Sequence, residues 1–141
     1  MWAHYTKSHK GICLEFDAQC HPFSEVKKVE YRDTYPALDL SNVGYYPLIT
    51  KSRCWAYEAE WRLIAEDRAA PISLSPVTIK TDNDFLTIAS GVLKSVTIGA
   101  RADEPTRRRI QDVVKSHGTG VLVRQATVAL DSYGLEISPP F

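Results

Sequence analysis

The stretch Lys51 to Leu63, KSRCWAYEAEWRL, sets Glu58, Glu60 and Arg62 two residues apart among Trp55, Tyr57 and Trp61. Read as a strand, its period of two places Tyr57, Ala59, Trp61 and Leu63 on the face toward the core and Glu58, Glu60 and Arg62 on the opposite one. Same-face neighbours on a strand lie roughly 7 Å apart. At that separation two carboxylates perturb each other's protonation, and Arg62 can restrain one of them as carboxylate. Such a pair can hold a ribose hydroxyl or stabilise a developing cation. The aromatics beside it suit stacking on a flat ligand as well as filling a core. A solvated strand face of alternating charge is the equally weighted alternative.

A second candidate is WAHYTKSHKG near the N-terminus, where His4, Tyr5, Lys7, Ser8 and His9 offer imidazoles, a phenol and a cation within two helical turns. These groups suit contact with an anion or a nucleotide, against the plainer reading of a polar helix surface. His4, His9, Cys13, Cys20 and His21 crowd the first 21 residues without CxxC or HExxH spacing, so no metal site is assigned. Cys54 beside Arg53 has no assignable histidine partner and makes a weak nucleophile candidate. The Arg107–Arg109 run fans over about 200° of a helix and cannot follow one phosphate track. Gly99 joins a strand to a helix whose acidic entry, Asp103 and Glu104, disfavours an anion.

The elements that must carry these groups follow from alternation and punctuation. GICLEFD alternates cleanly, with Ile12, Leu14 and Phe16 on one face. VKKVEYR does the same with Val29 and Tyr31, and the simplest arrangement pairs these two strands. Residues 33–46 read as loop. A helix is expected from Pro47 to Cys54, with Leu48, Ile49 and Trp55 facing the core. PISLSPVTIK reads as two strands out of phase across Ser75 and Pro76. LKSVTIG, a helix over 104–117 capped by Asp103 and stopped by Gly118, and VLVRQATV form a βαβ unit with a parallel, right-handed crossover. Ile110, Val113 and Val114 make the buried stripe of that helix. YGLEIS supplies a last strand. The expected fold is therefore α+β: one domain over residues 1–141, built on a central mixed sheet with a few helices and the C-terminal βαβ unit.

Composition narrows the functional classes. The chain has 141 residues, and its seventeen basic side chains balance seventeen acidic ones. That removes the long-range attraction on which nucleic-acid and membrane-surface binders rely. Neither kind of partner is expected. Three cysteines without paired spacing and the lack of a signal-like N-terminus point to a reduced, cytoplasmic protein, and no apolar run approaches the roughly 18 residues of a membrane span.

Taken together, MWAHYTKSHKGICLEFD, VKKVEY, KSRCWAYEAEWRL and LKSVTIGARADE resemble the C-terminal part of the bacterial DUF 2971 family, a domain of unknown function. That family shows W-x-H-Y-x-x-x-H-x-G-x-C-x-x-F-D followed by K-x-x-x-W-x-Y-E-x-E-W-R. Here the first motif is carried by Trp2, His4, Tyr5, His9, Gly11, Cys13, Phe16 and Asp17. The second is carried by Lys51, Trp55, Tyr57, Glu58, Glu60, Trp61 and Arg62. The layout is similar to that of ADP-ribosyltransferase-like domains, in which a late-strand glutamate, in one class an E-x-E pair, orients the ribose of NAD. The resemblance implies an ADP-ribosyltransferase-like glycosyl transferase of the toxin or phage-defence type. Glu60 and Glu58 would be its catalytic carboxylates, and His4, Tyr5, Trp55, Arg62 and Lys51 its ligand-binding set. NAD would be a substrate, with no tightly bound cofactor. Family members carry a further stretch ahead of the first motif, so an exposed sheet edge here would favour a homo-oligomer. The alternative is a non-catalytic binding or assembly module in which the same motifs are structural.

Overall fold

The computed structural model describes residues 2–37, 44–68, 70, 79–117 and 120–141. In chain order, α1 (Trp2–Tyr5) is followed by β1 (Ile12–Phe16), a 3₁₀ turn (Phe23–Glu25), β2 (Lys27–Lys28) and β3 (Glu30–Arg32). Next come a 3₁₀ turn (Tyr46–Ile49), β4 (Thr50–Ser52), a longer 3₁₀ segment (Arg53–Glu58), β5 (Trp61–Arg62), β6 (Ala65–Asp67) and β7 (Ile79–Thr81). The chain closes with β8 (Leu93–Ile98), α2 (Glu104–His117), β9 (Leu122–Val128) and β10 (Leu135–Ile137). The class is α+β with a mixed sheet, and by contact the chain divides into two compact units, 1–17 with 90–141, and 18–89.

The first unit is a four-stranded sheet in the order β1-β8-β9-β10 with α2 packed on it. The β8–β9 pair is parallel and its two outer pairings are antiparallel. The expected βαβ unit is thus present, because each of its signals is local. Asp103 Oδ1 accepts from the Thr106 backbone N–H at 2.9 Å, capping α2 where a side-chain acceptor was expected. Ile110 and Val114 pack on Ile98, Ala102 and Val123. Val113, expected in that stripe, is exposed instead, since it lies beyond the arc that reaches the sheet. Central β8 is buried along Ser95–Ile98, whereas β1, at the sheet edge, leaves Ile12 and Leu14 partly in water. Gly99 follows β8 with no room for a side chain: a Cβ would stand 2.2 Å from the His9 carbonyl oxygen.

Among its described residues the second unit holds three two-stranded sheets, β2-β5, β3-β4 and β6-β7. Val29, Ile49 and Ile79 are buried there, together with the charged Glu58 and Glu66. Three expectations are corrected. The strand of Ile12–Phe16 pairs with β8, while the VKKVEYR segment splits and pairs with β5 and β4, so the two do not form a hairpin. The helix expected over 47–54 is replaced by 3₁₀ turns around β4, whose backbone is committed to β3 in parallel register, Tyr31 opposite Lys51. The strand expected through Glu58–Glu60 is broken, because Arg53–Glu58 is 3₁₀ and Ala59 adopts the left-handed conformation, φ 47° and ψ 45°. Residues 71–78 of the PISLSPVTIK segment and the Gly118 stop lie outside the described residues.

Candidate functional site

The left-handed Ala59 reverses the chain between the two glutamates, so Glu58 comes off a 3₁₀ segment and Glu60 precedes a strand, yet both aim at one ammonium group. Lys51 donates from Nζ to Glu58 Oε2 and, at 3.2 Å, to Glu60 Oε2. Arg62 clasps the same Glu60 carboxylate from the other side, Nε to Oε1 at 2.7 Å and Nη2 to Oε2 at 3.0 Å. A further Arg62 donor, Nη1, reaches the Leu48 carbonyl at 2.5 Å. Two carboxylates are therefore matched by two cations in one network.

The backbone around it is pinned as well. The Glu60 N–H donates to the Tyr31 phenol oxygen at 2.8 Å, and the Glu60 carbonyl accepts from Val29 N–H at 3.0 Å. Lys27 and Lys28 of β2 stand opposite Arg62 and Trp61 in β5. Thr50 Oγ1 holds the Tyr46 carbonyl at 2.9 Å, fixing the turn that delivers Lys51. Tyr31 is a positioning residue that alternation assigned to the right face of its strand without revealing a partner 29 residues away. A second cluster sits nearby in sequence: Tyr46 donates to Glu30 at 2.8 Å and Arg32 does so at 3.0 Å.

Burial inverts the faces expected from alternation. Glu58 is only 3% exposed, whereas Tyr57 and Trp61, expected in the core, are 62% and 58% exposed. Trp55 is also on the surface, its ring 5.0 Å from Lys51 Nζ and 6.0 Å from the Tyr57 ring. The physical reason is that each carboxylate meets a cation, which offsets part of the charge penalty of burial. Trp55 and Tyr57 lie on the 3₁₀ segment before the left-handed Ala59, and Trp61 follows Glu60.

The protonation states follow. The Arg62 guanidinium, and after it Lys51, hold the Glu60 carboxyl below the usual carboxylate range against the opposing effect of burial. Hydrogen bonding to Glu58, then to Glu60, raises the Lys51 ammonium above its ordinary value. Glu30 is lowered by the Tyr46 phenol and by Arg32, and the Tyr46 phenol is raised in turn.

Of the residues singled out from the sequence, Lys51, Trp55, Glu58, Glu60 and Arg62 come together in the 18–89 unit. His4 and Tyr5 stand exposed on α1, in the other unit. Cys13, Cys20 and Cys54 are free thiols, and Cys54 Sγ lies 3.3 Å from Ser52 Oγ. Among the described residues no group of three or more His, Cys, Asp or Glu side chains could hold a metal ion. No helix among them is long and apolar enough to cross a membrane.

No curated protein and no solved structure matches the chain. The family model described as "Protein of unknown function (DUF2971)" matches residues 1–63, a span that contains both motifs and ends one residue after Arg62. The match thus makes residues 1–63, with the Lys51–Arg62 network at their end, similar to the DUF2971 family.

Proposed function

We propose that the 18–89 unit is a non-catalytic assembly module whose motif works from the inside out. The Lys51–Glu58–Glu60–Arg62 network is the scaffold, and Trp55, Tyr57 and Trp61 are the contact surface. The observation that carries this reading is the compensation of both carboxylates by Lys51 and Arg62 while all three aromatics face water. A carboxylate that stabilises an oxocarbenium ion must reach it with uncompensated charge, and here two cations already meet two anions. Exposed tryptophan and tyrosine are the residues that dominate protein interfaces. Three unbridged cysteines support work in the cytoplasm.

Sedimentation over a concentration series tests the module. The expectation is self-association by the wild type and a monomeric Trp55→Ala/Tyr57→Ala variant with an unchanged unfolding midpoint. A second reading, an ADP-ribosyltransferase-like domain taking NAD as substrate, draws on Glu60, whose side chain is 24% exposed, and on Lys51, which bridges it to the Trp55 ring. It requires Glu60 to exchange a cation contact for the ribose. Calorimetric titration separates the two: saturable NAD binding that a folded Glu60→Gln variant abolishes would sink the assembly reading.

A further inference from the structure

The unit formed by 1–17 and 90–141 contains a cavity that the network above does not use. Its volume is about 470 Å³, within the usual range for a small-molecule site. Ala3, Val128 and Leu135 give it an apolar lining, and His9, Arg101, Ser132 and Tyr133 a polar one.

Three features show that its His9–Arg101 wall is built rather than incidental. Lys7, Ser8 and His9 run consecutively through the left-handed region, at φ 48°, 61° and 65°. None is glycine, so each costs about 1–2 kcal/mol of backbone strain, and such strain concentrates where structure serves a ligand. The strained turn is bound to the strand end beyond β8: Arg101 N–H donates to the His9 carbonyl at 3.0 Å and Gly99 N–H to the Gly11 carbonyl at 2.9 Å. These bonds set His9 and Arg101 side by side, with the Trp2 ring edge-on to the imidazole at 5.5 Å. On the opposite side, the loop between β9 and β10 is closed by Ala129 N–H donating to the Gly134 carbonyl at 3.1 Å, which presents Ser132 and Tyr133.

The charges decide the ligand class. Among the described residues Arg101, like Arg107, Arg109 and Arg124, has no ion-pair partner, and of these four it alone lines the cavity; Arg32, Arg53, Arg62, Arg68 and Arg108 are each paired with a carboxylate. His9 Nδ1 is buried without a hydrogen-bond partner. Among the described residues no carboxylate lines the cavity. An unpaired guanidinium offers a planar fork that matches a carboxylate or phosphate, and the serine hydroxyl and phenol add donors.

We propose that this cavity binds a small organic anion, a carboxylate or a phosphate monoester with an apolar body. The site lies within one unit and is independent of the assembly reading. The test is amide NMR titration of the full chain with phenyl phosphate, phenylacetate, inorganic phosphate and phenylacetamide. At least one of the two organic anions should shift the amides of His9, Arg101 and Ser132–Leu135 saturably, and whichever binds identifies the acid group. Inorganic phosphate and neutral phenylacetamide should bind about tenfold more weakly or worse. Arg101→Met should reduce affinity about tenfold or more with an unchanged melting temperature, and Val128→Trp should block binding while leaving Arg101 in place. The proposal is overturned if neither organic anion gives saturable shifts at millimolar concentration, if inorganic phosphate binds as well as phenyl phosphate, or if a folded Arg101→Met binds like the wild type.

Discussion

Lys51 is the pivot of its network, because removing its ammonium leaves Glu58 with a carboxylate that is 1% exposed and deprived of that cation. Breaking one partner of a buried pair typically costs about 3 kcal/mol or more, far above a surface pair. Lys51→Met should therefore lower stability by roughly 3 kcal/mol in urea denaturation. Adding Glu58→Gln should restore part of it, because the two losses share one interaction. A loss below about 0.5 kcal/mol for the single variant would mark the pair as solvated. The network also sets a pH window. Glu60 is depressed in the folded state, so its contribution is present above the unfolded carboxylate pKa of about 4.3 and is lost as pH falls through the folded value. Lys51 is raised, so its contribution is complete below about pH 10.4 and fades only in stronger alkali. Unfolding midpoints should drop on the acid side, and Glu60→Gln should make that limb shallower without abolishing it, because Glu30 and Asp103 are lowered as well. From the sequence, the nearness of Glu58, Glu60 and Arg62 was legible in their two-residue spacing, whereas Lys51 entered only through the family motif, its partners lying seven and nine residues away. Which side they occupy was not, since nothing in the residue type alanine announces a left-handed Ala59.

At the scale of elements, local signals succeeded where they were long enough to repeat. The 14 residues of α2 complete several turns, so its cap, its span and two of its three stripe residues, Ile110 and Val114, could be read directly. The strands around the candidate site have two or three residues each, too few for a period of two to distinguish them from a 3₁₀ turn. Their pairing depends on contacts distant in sequence, which patterning does not encode. Two substitutions weigh these contributions. Asp103→Ala removes the acceptor for Thr106 and should cost about 1 kcal/mol. Gly99→Ala would drive a methyl group into the His9 and Gly11 carbonyls, at 2.2 and 2.5 Å, both of them backbone. That clash should cost more than about 3 kcal/mol. Conversely, Ser8→Gly relieves a left-handed residue and should raise the unfolding midpoint, by an amount equivalent to about 1 kcal/mol. Thermal unfolding of the three variants ranks them. An unaffected Gly99→Ala would show that the turn at residues 7–9 is not held against the end of β8.

For the molecule as a whole, the division into units is discontinuous in sequence: 18–89 is inserted between β1 and β8, which are neighbours in the other unit's sheet. The insertion leaves and returns at one place. Phe16 stands opposite Leu93, and Asp17 N–H still donates to the Val92 carbonyl at 2.8 Å. These are hairpin ends, which a two-residue Asn-Gly turn can join without altering register. The remaining unit keeps its four strands, α2 and the core of Ile98, Ala102 and Val123. A chain in which Asn-Gly connects Asp17 directly to Val92 should therefore fold cooperatively, protect the β8 and α2 amides from hydrogen exchange, and retain the cavity between the 7–9 turn and the 129–134 loop. Uniformly fast exchange in the spliced chain would show instead that the sheet depends on the inserted unit, and the two would then have to be treated as one cooperative structure. Retained protection would make the DUF2971 span, residues 1–63, a composite, with its first motif in one folding unit and its second in another.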